Sequence, residues 1–220
     1  MLEQRIDSIT LKLEDMQREV VALRNPSKPE KLSLVIEADP CFPPECIRTL
    51  LKHLLNLPIT ATITTHSHSS LIHDLPQHLC HWVSPHSSGC SRIDNQFNLT
   101  WIWKPVGRHP IAKEVDRPTL KEFHGQACIA RLIARFIESW TETNLYESCD
   151  LISSALIDQW MDSVELEDES LSKRLESRLE HFEWLVGQKK TLADVFVASS
   201  LKDRLTSKRM KEWALRCCSF

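Results

Sequence analysis

The sequence predicts an α/β plus all-α chain, in which a small mixed domain and then an all-helical domain stand behind a separate coiled-coil helix. Three observations carry this. Apolar residues recur at alternating spacings of four and three over the first 24 residues, a βαβ order of patterns follows a proline-bearing break, and from residue 126 the period becomes that of amphipathic helices. The boundaries read as a coiled-coil helix over 1–24, a linker over 25–30, a mixed domain over 31–118 and a helical domain over 119–220.

The first element is a heptad seam of Leu2, Ile6, Ile9, Leu13, Met16, Val20 and Leu23, with Ile6, Leu13 and Val20 at a and the others at d. Its three heptads reach roughly 33 Å as helix. Asn25-Pro26-Ser27-Lys28-Pro29 stops it, since proline lacks an amide hydrogen and its ring clashes with the preceding turn. The seam is therefore read as a partner-binding surface, the alternative being a helix packed on its own domain. In a parallel homodimer the g-to-e contacts would be Arg5 with Thr10, Lys12 with Gln17 and Glu19 with Arg24, and only the last attracts.

In the mixed domain, Leu32-Ser33-Leu34-Val35-Ile36 reads as a strand, Pro44 to Leu55 as a helix and the β-branched run Ile59 to Thr65 as a second strand. His66 to Arg92 is weakly patterned, and Phe97 to Trp103 gives another strand. In the helical domain, Ile129, Leu132, Ile133, Phe136, Ile137 and Trp140 lie on one helical face. Further helices are expected at about 146–164, 171–186, 192–205 and 208–217.

Composition narrows the function classes. A net charge of -3 gives no overall pull towards phosphate backbones or anionic membranes. The eight cysteines are irregularly spaced and read as reduced thiols. The N-terminus carries charge at once, with no apolar core of a signal peptide, and no window approaches the ~20 apolar residues of a membrane span. The cytosol is the expected compartment, with the nucleus open as a second. No P-loop, nucleophile elbow or H-E-x-x-H motif is present. His66, His68, His73, His78, His81 and His86, with Cys80 and Cys90, raise zinc, but the spacing lacks a paired C-x-x-C and prolines interrupt it; a solvated loop explains it.

Two local features stand out in the helical half. Thr191 followed by Asp194 reads as a reciprocal capping box that sets the start of a buried helix. Eight acidic residues between Asp158 and Glu180 oppose six basic ones between Lys202 and Arg216, which marks Lys208, Arg209 and Arg216 as a docking face for a complementary surface. A nucleic-acid role for that basic run is not favoured, because only Trp213 is interleaved with it.

The segment Trp184 to Val195, containing the box, resembles the signature of the glutathione-transferase helical domain, and Gly125 to Arg131 sits where such proteins open that domain. Thr65 to Ser70, Leu99 to Lys104, Ile129-Ala130-Arg131 and Leu156-Ile157-Asp158-Gln159-Trp160 narrow this, in order, to the second family of aminoacyl-tRNA synthetase complex-interacting multifunctional proteins. The resemblance implies a thioredoxin-like N-terminal domain, a glutathione-transferase-like helical domain and a leucine zipper. It also implies a non-catalytic scaffold bridging synthetases, with arginyl-, aspartyl- and glutamyl-prolyl-tRNA synthetases and other multifunctional proteins of the complex as expected partners. No cofactor is expected. Members carry a stretch upstream of the zipper that engages lysyl-tRNA synthetase; here the zipper begins almost at Met1, which tells against that contact.

A low-activity glutathione transferase or thiol-redox enzyme is the alternative. Its thiolate would have to come from Cys41, in the turn Glu37-Ala38-Asp39-Pro40-Cys41, since the single tyrosine lies in the helical half. The resemblance places Gly125 and Gln126 where transferases use an acidic residue and serine to hold glutathione. The strand ending at Trp103 also lacks the preceding proline that presents the glutathione backbone.

Overall fold

The alternation seen from Leu32 onward becomes β1 (Leu32–Ala38), whose Leu32, Leu34, Ile36 and Ala38 are buried while the residues between them are half-exposed. The computed structural model describes residues 31–80, 82, 96–116, 121–141, 143–146 and 149–218. The heptad seam and its linker lie outside these residues, as do His81, His86 and Cys90.

After β1 comes α1 (Glu45–Leu55), which buries Cys46, Ile47, Leu50, Leu51 and Leu54 on one face. Then follow β2 (Ala61–Ser67), a single-turn α2 (Gln77–Cys80), β3 (Phe97–Trp103), β4 (Ile111–Glu114) and β5 (Lys121–His124). The sheet order is β2-β3-β1-β4-β5. β3 runs parallel to both neighbours, with Leu34 opposite Leu99 and Ile63 opposite Leu99, whereas β4 runs antiparallel to β1 and β5 to β4. The interior place of β3, between β2 and β1, suits its load of buried Phe97, Leu99, Trp101 and Trp103. Trp103 meets Trp82 and Trp101 edge-on at 5.6 and 5.4 Å between ring centroids.

β4 and β5 were not expected. Ile111-Ala112-Lys113-Glu114 and Lys121-Glu122-Phe123-His124 are short and charge-rich, so neither shows a strand's apolar alternation. β5 falls beyond the expected boundary near 118, so the sheet runs to His124.

The helical half comprises α3 (Gln126–Trp140), α4 (Leu151–Glu165), α5 (Leu171–His181), α6 (Leu192–Ser200), a 3-10 turn (Lys202–Arg204) and α7 (Lys208–Cys218). α4 starts five residues later than expected because Asp150 caps it, accepting from the Ile152 and Ser153 amides at 3.0 Å each. α5 stops at His181, where Phe182 turns to extended backbone, short of the expected Val186. α6 is buried from Leu192 to Ser199 and forms the hub of this half, packing on α4 and α7 and on α1 of the sheet. Through α1 against α3 and α6, one apolar core spans sheet and helices, and residues 31–220 form one compact unit. Among the described residues, no helix is long and apolar enough to cross a membrane.

Candidate functional site

Chemistry at a sheet of this kind is sought first where β1 ends. There Asp39 organises the turn: its Oδ1 accepts from the Cys41 amide at 2.9 Å, and its Oδ2 from the Gly107 amide at 3.0 Å, tying the turn to the loop after β3. Cys41 is exposed. The nearby Cys46 is fully buried in α1 and donates to Gln126 Oε1 at 3.3 Å. Burial first, and Glu165 next, push its thiol well above the usual range, so it is held as an inert protonated group.

The helix opening beside this turn is filled from within the chain. Gly125, with φ at +85°, is the residue before α3, a left-handed conformation that glycine adopts without Cβ strain. In the first turn of α3 the Ala127 amide donates to Glu165 Oε1 at 3.1 Å. A carboxylate from the end of α4 therefore occupies the positive end of α3. Glu165 also lies 3.8 Å from His109 Nδ1, and Arg108 pairs with Glu167. The strand antiparallel to β1 is β4, which Pro110 precedes, whereas Phe97–Trp103 runs parallel to β1. The Pro110 carbonyl accepts from the Gly125 amide at 2.9 Å.

Of the histidine stretch, His81, His86 and Cys90 lie outside the described residues; among the described residues no group of three or more His, Cys, Asp or Glu is placed to hold an ion. His68 instead closes a local turn, its Nδ1 accepting from the Ser70 amide at 3.1 Å.

Asp194 does more than cap α6. Its carboxylate, 0% exposed, takes the Thr191 amide at 2.9 Å and hydroxyl at 3.0 Å on Oδ2, and the Leu185 amide at 2.9 Å and Trp213 indole N–H at 3.1 Å on Oδ1. The Thr191 side chain accepts in return from the Asp194 amide, which completes the capping box. Burial raises the Asp194 carboxyl above the ordinary aspartate range, against the pull of those donors. Leu185 and Trp213 were missed in the sequence, since neither the loop before α6 nor a helix nineteen residues away is set by local spacing.

Part of each opposed charge run is engaged within the chain. Of the acidic residues, Asp158 and Asp162 face Arg131 at 2.7 and 3.7 Å, Asp168 faces Arg174 at 3.0 Å, and Glu165 and Glu167 are engaged as above. On the basic side, Lys208 pairs with Glu212 at 3.7 Å, Arg209 donates to the Leu179 carbonyl at 3.2 Å and Arg216 pairs with Glu183 at 2.9 Å. All three nevertheless stay on the exposed side of α7, opposite its buried Met210, Trp213, Ala214 and Cys217.

A family model described as a thioredoxin-like domain matches residues 30–116. The curated relatives include aminoacyl tRNA synthase complex-interacting multifunctional protein 2 of Cricetulus griseus, 30% identical over 178 residues that cover 77% of this chain and 52% of the relative. The Homo sapiens protein of the same name is 26% identical over 177 residues, with 77% and 52% covered. The chain is similar to these relatives over about three quarters of its own length. It spans about half the length of these curated relatives. Among solved structures, FzlA from C. crescentus covers 84% of this chain and 89% of its own, at a TM-score of 0.43 and 15% identity. Two of the segments that carried the family resemblance meet in space: Arg131 of Ile129-Ala130-Arg131 binds Asp158 of Leu156–Trp160 through Nε at 2.9 Å, and the Tyr146 hydroxyl donates to the same carboxylate at 3.1 Å. Arg131 and Arg135 also lie over the Tyr146 ring, at 5.8 and 5.5 Å from its centroid.

Proposed function

We propose that this chain is a non-catalytic scaffold of the multi-aminoacyl-tRNA synthetase complex, acting in the cytosol. It bridges synthetases through a coiled-coil seam over residues 1–24 and a separate body whose helical half is glutathione-transferase-like. The observation that carries the reading is similarity to relatives that are named for interacting with the synthetase complex. Partners are expected among arginyl-, aspartyl- and glutamyl-prolyl-tRNA synthetases and other multifunctional proteins of the complex, by resemblance to the family.

The site geometry supports a body without turnover. A transferase must hold an anionic tripeptide and lower the pKa of a thiol. Here Glu165 puts a carboxylate at the helix end where an incoming anion would seek amides, and repels it. The thiol beside that end, Cys46, is buried and held protonated.

The test is affinity purification of the tagged chain from a native lysate, with quantitative mass spectrometry. Several synthetases should co-purify in fixed ratios that survive nuclease treatment and moderate salt. Recovery of no synthetase, or recovery abolished by nuclease, would overturn the scaffold reading.

A further inference from the structure

A cleft of about 410 Å³ opens between α5 and the start of α7, lined by Glu176, Leu179, Glu180, Ser207, Arg209 and Met210. Leu179 and Met210, 5% and 1% exposed, lie at its base and are held there by burial. Glu176 and Glu180 stand one turn apart on α5, which sets their carboxylates as neighbours on one wall. Among the described residues neither meets a cation at ion-pair distance.

The opposite wall does not neutralise them. Arg209 is the one cation among the lining residues, and it is turned to the Leu179 carbonyl in the last turn of α5. Ser207 is equally committed: its hydroxyl accepts from the Met210 amide at 3.3 Å and its carbonyl from the Lys211 amide at 3.1 Å. The first turn of α7 is therefore capped rather than open to an anion. Two carboxylates and the carbonyl end of α5 outweigh one engaged guanidinium. The volume sits low in the range of ligand clefts, roughly 300–1,000 Å³, which suits a projecting side chain better than a cofactor.

We infer that this cleft is a docking notch for a lysine or arginine side chain projected by a protein partner, its aliphatic stem on Leu179 and Met210 and its cationic head between Glu176 and Glu180. The inference rests on the scaffold reading for its partner, but not for its chemistry.

The test uses the intact chain with methyl-labelled methionine, titrated with N-acetyl-arginine methylamide and, separately, with its citrulline isostere and the glutamate derivative. The Met210 methyl should shift saturably with the arginine probe, while Met161, buried in α4, stays still. Glu176→Gln with Glu180→Gln should weaken that response at least fivefold with circular dichroism unchanged. A silent Met210, an equal response to citrulline or glutamate, or an unweakened double variant overturns the notch. If synthetases co-purify while Met210 is silent, the notch fails alone; if the notch saturates in a chain that recruits no synthetase, the scaffold reading fails alone.

Discussion

Asp194→Ala should destabilise the unit of residues 31–220 by far more than loss of a helix cap. A surface N-cap is worth about 1 kcal/mol. Here the substitution strands the buried Leu185 and Thr191 amides and the Trp213 indole, which join the loop before α6, α6 itself and α7. Each buried donor left without a partner costs roughly 1–3 kcal/mol, and relief of the carboxylate's own desolvation together with water entry offsets part, which leaves about 3 kcal/mol. For a unit of this size that is a fall in Tm of roughly 6–12 °C. Urea denaturation with thermal melts checks it. A loss below about 1 kcal/mol would show that Asp194 is only a cap. Thr191→Ala shares the same carboxylate, so the double variant should lose less than the sum of the singles.

The same residue has a pH signature. Its folded pKa is raised, so the proton is bound more tightly in the folded state, and the stability it contributes is greatest below the unfolded value of about 3.9. That contribution is lost as pH rises through the folded pKa. The stability of wild type minus Asp194→Asn should therefore fall from pH 4 upward and then level off. A difference that grows with pH would refute the burial argument.

Leu13→Asp should abolish any contact made by the seam of residues 1–24 while leaving the circular dichroism of the body and its own partners intact; if every partner stays bound, or the body unfolds, the two-module account is wrong. The purified chain should neither bind immobilised glutathione nor conjugate it to a chlorinated aromatic substrate, and turnover lost on Cys41→Ser would restore the enzyme reading. Iodoacetamide at neutral pH should alkylate exposed Cys41 while Cys46 and Cys217, buried and with their thiols pushed up, react only on unfolding; mass spectrometry of the native protein reads the order.

What the sequence determined was everything encoded by local period and local chemistry. Alternation placed β1 and β3, the 3.6-residue period placed α1 and α3, and the Thr191–Asp194 spacing located the start of α6. Such signals need only a few consecutive residues, because the backbone geometry that creates them is local. Tertiary structure alone decided the insertion of β3 between β1 and β2, the recruitment of charge-rich β4 and β5, and the Glu165 carboxylate at the head of α3. It also decided that Leu185 and Trp213 converge on Asp194, and that Asp158 and Asp168 pair with Arg131 and Arg174. Each of these joins segments far apart along the chain, where pairing is chosen by which buried surfaces and charges must be satisfied together, and no residue spacing records that choice.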